Sequence, residues 1–172
     1  MNSELEKFYK ELGISAEHLK ANRLPFCNQS ELRELEIIDI DFTGRPFILA
    51  SSAARPWQEM CLAASSDNIL LRPASGFRTY LYQAKLIEAQ LAKGRLIDEI
   101  LKTNAIPGFS EHHTGLAVDI IGDKSVLEDA FHETDTFRWM IENASRFKFR
   151  LSYPRDNSYG IIFEPWHWFY KG

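Results

Sequence analysis

The chain has 172 residues, enough for one domain that hides about 70% of its unfolded surface, so a single-domain enzyme is possible. Its 45% hydrophobic and 26% charged residues exclude broad disorder. A net charge of -4 argues against a nucleic-acid partner, and the absence of any run of about 18 apolar residues excludes a membrane-spanning helix.

Taken in chain order, residues 3–22 read as a helix in two pieces broken at Gly13, with Ser15 as N-cap and His18 as a surface residue of the first turn. The opening MNSELEKFYKELGISAEHL has no apolar stretch of signal-peptide length. This favours the cytoplasm, with the periplasm or cell surface as the alternative if a targeting segment has been removed. Residues 35–42, LEIIDIDF, alternate as a strand does. A helix is expected from Ala53 to Ala64, with Pro56 limiting where it begins.

A short buried strand is predicted over Asn68–Pro73, running into the loop SGFRTYLYQ. Helices follow over Tyr80–Lys93, closed by Gly94, and over Leu96–Lys102. Leu116–Ile121 is a strand and Asp135–Phe147 a helix capped at Thr134 or Asp135. Three short strands are expected around Phe149–Tyr153, Gly160–Phe163 and His167–Tyr170. With no repeats or linkers, residues 1–172 form one domain, and the non-alternating order predicts α+β with a small, mostly antiparallel sheet and packed helices. Cys27 and Cys61 lack a metal or disulfide pattern and are expected to be free, buried thiols.

Two clusters can carry chemistry. In S-E-H-H-T-G-L-A-V-D, His112 sits in a loop and Asp119 in the following strand, on the face opposite Leu116, Val118 and Ile120. Gly115 lets the loop turn back toward that face. In EPWHWFY, Pro165 keeps Glu164 out of the helical region, so the chain must turn before His167 for both side chains to meet. A catalytic zinc takes three ligands from such groups and leaves a place for water, while a desolvated Glu164 suits a general base. Arg78 in SGFR is a permanent cation able to grip a carboxylate or a growing oxyanion.

Each cluster has a plainer explanation. His112 with Asp119 can be a structural hydrogen bond, and Arg78 a surface salt bridge. The two clusters and Arg78 together in one small domain favour function. His113, one position out of phase, is expected at the solvent or the cleft rim, and His132 in solvent before its helix.

SGFRTYLYQ, SEHHTGLAVDI and FRWMIENASRFKFRLSYPRDNSYGIIFEPWHWFY, in this order and spacing, resemble the zinc D-alanyl-D-alanine carboxypeptidases of the VanY type. Those enzymes are relatives of the vancomycin-resistance dipeptidases and the L,D-carboxypeptidases. The resemblance spans residues 45–172 as a catalytic core, and residues 1–40 form an N-terminal helical extension outside it. It implies zinc held by His112, Asp119 and His167 at the edge of a small antiparallel sheet, with Glu164 as catalytic base and Arg78 polarising the scissile carbonyl. Ser110, and with it Ser75, Tyr80 and Gln83, would hold a peptidoglycan stem peptide or muropeptide by its terminal carboxylate.

The implied reaction is removal of the C-terminal D-alanine. L,D-carboxypeptidase or D,D-dipeptidase action is the nearest alternative, and a zinc-stabilised binding module without catalysis is the more distant one. Phe77 and Phe163 stand where tyrosine is common in the family, and Lys148 interrupts an expected Phe-Gly-Phe.

Overall fold

The computed structural model describes residues 3–121 and 128–172. Helix α1 (Ser3–Glu11) buries Leu5, Phe8 and Tyr9 at helical spacing. Helix α2 (Ala16–Ala21) begins in a capping box: Ser15 Oγ accepts from the His18 amide at 3.3 Å, and His18 Nδ1 accepts from the Ser15 amide at 2.9 Å. His18 Nε2 also lies 3.0 Å from Asp98. The expected free surface histidine is therefore a cap and a tether.

Strand β1 (Leu35–Ile40) pairs antiparallel with β2 (Pro46–Ala50), a strand the sequence reading did not anticipate because its apolar run is only four residues long. The hairpin turn is built on Asp41, whose carboxylate accepts from the Thr43 amide at 2.8 Å, the Arg45 amide at 3.0 Å and Arg45 Nε at 2.9 Å. Burial opposes this charge, but the hydrogen bonds from Thr43 and Arg45 outweigh it and hold the carboxyl at about 2. Its folded value thus lies below the unfolded one of about 3.9. The stabilisation is present above pH 4 and is lost as the pH falls toward 2. Asp41→Ala is expected to cost about 1–3 kcal/mol in urea unfolding at pH 7, and the gap from the parent should narrow at pH 2–3.

Helix α3 (Ser51–Ser66) starts five residues before Pro56, which sits inside it. The following strand, β3, runs Arg72–Ser75, later than the expected Asn68–Pro73. Residues 67–69 are used instead to close α3: the Asn68 amide bonds Ser65 O at 3.0 Å and the Ile69 amide bonds Ala64 O at 2.9 Å. Helix α4 (Tyr80–Leu91) is capped by Thr79, and α5 is a single turn, Ile97–Ile100.

Strand β4 (Ala117–Ile121), helix α6 (Asp135–Asn143, capped by Thr134), strand β5 (Phe149–Leu151) and strand β6 (His167–Tyr170) complete the order. The main sheet is antiparallel throughout, in the order β3-β4-β6-β5. Gly160–Phe163, expected as a strand, is irregular. Its amide bonds run to a loop, with Ile162 N donating to Lys102 O at 3.1 Å. Lys148 adopts φ +62° at the end of the turn after α6, a region that costs a non-glycine residue about 1–2 kcal/mol. That is the backbone reason a glycine was expected there.

One core lies between the sheet and helices α3 and α6, with Val118, Ile120, Trp57, Met60, Met140 and Trp168 at its centre. A second joins α1 to α4 and α5. Cys27 is buried and Cys61 half-buried, and both are free. No helix among the described residues is long and apolar enough to cross a membrane.

Candidate metal centre

Strand alternation sends Val118 and Ile120 into the core, so Asp119 faces the other way. Across β4–β6 its Cα partner is His167, and across β3–β4 it is Ser75. His112 arrives from the turn 111–114, which ends in Gly115 at φ +67°. A Cβ at Gly115 would lie 2.7 Å from the Ala50 amide nitrogen, so both the conformation and the space demand glycine. The turn that brings in His167 is closed by its amide bonding Glu164 O at 3.1 Å, around Pro165 and Trp166.

One ligand atom from each of His112, Asp119 and His167 falls within 4.8 Å of the others, and all three residues are buried. His112 Nε2 is 3.1 Å from Asp119 Oδ2, and His167 Nδ1 is 2.9 Å from Asp119 Oδ1. His112 Nδ1 lies 2.6 Å from the Gly76 carbonyl, which can only accept. That proton is therefore fixed on Nδ1 and the lone pair on Nε2 faces the group.

Burial and the nearby Arg78 charge lower His112 to about 4. Asp119 is held well below the usual carboxylate range: its burial would raise it, but the electrostatic pull of His112 and Arg78 and the hydrogen bond from His167 prevail. His167 is pushed up to about 10, because its hydrogen bonds to Asp119 and Glu111 overcome the burial that would discharge it. The pocket thus holds a positive charge between two carboxylates. Two imidazoles and a carboxylate suit a divalent zinc ion, which would take the place of the His167 Nδ1 proton. The residues present fit the group.

Around this centre, Arg78 is ion-paired with Asp119 through Nη2, and its Nε donates to Ser75 Oγ at 2.8 Å. A cavity of about 390 Å³ opens beside it, lined by Arg78, Gln83, Ser110, Tyr153, Glu164 and all three candidate ligands among others. A second, of about 200 Å³, shares Arg78, Asp119 and Trp166 and adds Ser75, Tyr82 and Phe131. Glu164 is buried. Tyr153 stacks on His167 with ring centroids 4.9 Å apart, and burial, with Glu111 and Glu164 nearby, raises its phenol so that it stays a neutral donor.

Of the expected substrate contacts, Ser110, Ser75 and Gln83 line these cavities. Gln83 is held by Nε2 donating to Ala105 O at 2.9 Å, and its buried Oε1 has no partner among the described residues. Tyr80 lines neither cavity. Its hydroxyl accepts from the Gln29 amide at 2.9 Å and donates to Cys27 O at 3.1 Å. Helix α4 turns Gln83 toward the cleft and Tyr80 toward residues 27–29 at its own N-terminus.

His113, expected at the solvent or rim, is fully buried at 0% exposure. Burial lowers it to about 4, so it is neutral, donating from Nδ1 to Arg78 O at 2.7 Å and accepting at Nε2 from the Gly108 amide at 3.1 Å. It braces the backbone of Arg78, with its ring against Tyr80 at 4.6 Å. His132 is not a simple solvated residue, since its ring lies 5.8 Å from Phe163 and its Nδ1 is buried without a partner among the described residues.

Sequence reasoning missed Glu111. Its carboxylate is buried and lies 3.0 Å from His167 Nε2, 56 residues away. Its place beside His112 was the only signal available.

A buried His–Asp–His group at one end of an antiparallel sheet, opening on a polar cleft with an arginine and a second carboxylate, defines a domain built around a candidate metal centre. The chain belongs to the VanY family, D-alanyl-D-alanine carboxypeptidase, whose profile matches residues 47–172. It is 35% identical over 168 residues to a D-alanyl-D-alanine carboxypeptidase of Enterococcus faecalis (strain ATCC 700802 / V583), covering 89% of this chain and 56% of that protein. The chain spans little more than half the length of that relative.

Among solved structures it resembles the LD-carboxypeptidase LdcB with a TM-score of 0.72 and 30% identity, over 83% of this chain and 70% of that one. It also resembles a vancomycin-resistance D,D-pentapeptidase VanY in complex with Zn(II), with a TM-score of 0.63 and 31% identity, over 78% and 80% of the two chains.

Proposed function

We propose that this protein is a zinc-dependent carboxypeptidase that removes the C-terminal D-alanine from peptidoglycan stem peptides. The observation that carries the reading is the His112, Asp119 and His167 donor group sharing one cleft with Glu164 and Arg78, in a chain of the VanY family.

His112 through Nε2, Asp119 and His167 through Nδ1 would hold the ion. Bound there, zinc supplies Lewis-acid polarisation of a carbonyl and activation of water at neutral pH. Glu164 takes the proton from the attacking water and passes it to the departing amine of D-alanine. Arg78 faces the carbonyl oxygen as its negative charge grows, and Ser75 and the His113-braced backbone keep the guanidinium in place. Ser110, at the mouth of the histidine turn, offers a hydroxyl to the terminal carboxylate. Tyr153 supplies a neutral phenol on the same wall.

A second reading, L,D-carboxypeptidase action on a tetrapeptide, is supported by the likeness to LdcB. Zinc-loaded protein incubated with a pentapeptide stem, a tetrapeptide stem and free D-Ala-D-Ala, with products weighed by mass spectrometry, separates these activities. Loss of one alanine from the pentapeptide alone is the expected outcome. Trimming of the tetrapeptide alone would replace the first reading with the second, and no hydrolysis of any of the three would overturn both.

A further inference from the structure

Glu111 is a buried carboxylate that the mechanism above does not use. Its Oε2 accepts from His167 Nε2 at 3.0 Å and from the Ser152 hydroxyl, and its Oε1 accepts from Arg150 Nη2 at 3.0 Å. Arg150 is itself steadied over the Phe169 ring at 5.2 Å. Burying a carboxylate is unfavourable unless it is paired and fully hydrogen-bonded, and here a hydroxyl, a guanidinium and an imidazole are all spent on that pairing. Aliphatic side chains would fill the same space without that cost. The arrangement therefore calls for a role beyond packing.

We infer that Glu111 is a positioning residue for the metal centre: it fixes the His167 proton on Nε2 and aims Nδ1 at His112 and Asp119. This rests on the reading of those three residues as zinc ligands. A metal-bound histidine commonly donates its other ring N–H to a carboxylate or carbonyl, which sets its tautomer and ring angle. His112 has the Gly76 carbonyl for this purpose, and His167 has Glu111. Because Glu111 and His112 are neighbours on one turn, that turn supplies one ligand directly and orients another on a distant strand. Arg150 and Ser152, from β5 and the residue just after it, hold the lever, so the two halves of the centre are locked through a single carboxylate.

The test is zinc affinity, measured on metal-free protein by competition with a chromophoric chelator and paired with thermal unfolding of the metal-free forms. Glu111→Ala is expected to weaken zinc binding about 10- to 100-fold. Glu111→Gln, whose amide oxygen still accepts from Nε2, should recover part of the loss. Arg150→Met leaves the carboxylate in place but unsteadied and should weaken binding less than Glu111→Ala does. If the alanine variant does not fold, the other two decide. Zinc affinity within about twofold of wild type in every folded variant would overturn the role of Glu111 while leaving the metal centre standing. Failure of the wild type itself to bind zinc would overturn both.

Discussion

Asp119→Ala is expected to abolish zinc binding and hydrolysis together, with the bound metal falling from one ion per chain to nearly none in elemental analysis. The Asp119 carboxylate meets three side chains of the centre, Arg78, His112 and His167. Removing it deletes one candidate ligand of three and also strands Arg78, whose side chain is only 17% exposed. Breaking a buried pair by removing one partner costs about 3–5 kcal/mol, so chemical unfolding of the metal-free variant should show a loss of that order. An Asp119→Ala protein that retained stoichiometric zinc would show that the ion sits elsewhere.

Glu164→Gln should part the two losses, with zinc retained and turnover lost. Its backbone is locked, since its amide donates to Tyr153 O at 3.1 Å and its carbonyl accepts from the His167 amide at 3.1 Å. The substitution therefore leaves the turn that delivers His167 intact. A positioned general base contributes about 10² to 10⁴ in rate, and the fall should appear in kcat with little change in KM, because proton transfer matters in the transition state and not in substrate binding. Near-wild-type kcat would remove Glu164 from the mechanism. Measured side by side, the two variants separate metal holding from proton transfer.

The local elements were largely legible. Ser15 and Thr134 cap helices where hydroxyls precede apolar periodicity, and the alternation in Leu116–Ile121 put Asp119 on the face away from the core. What failed depended on partners. Strand β2 is held by its pairing with β1, and β3 is displaced because the residues before it close α3. Gly160–Phe163 has strand-like composition but finds only a loop to bond. His113 is one position out of phase with His112, which placed it at the solvent or the cleft rim; the fold buries it because two backbone groups satisfy both its nitrogens.

By itself the sequence determined which groups could do chemistry: the histidine, glycine and aspartate of one motif, the glutamate and histidine of the other, and the turn chemistry at Gly115 and Pro165. Those are local properties, set by backbone conformation and side-chain type over a few residues. The tertiary structure decided the rest. His167 lies 48 residues beyond Asp119, and only the β4–β6 register sets them side by side. Glu111, Arg150 and Ser152 form one network only once β5 has paired with β6. Long-range register is an outcome of sheet assembly and burial, which no short stretch of sequence encodes.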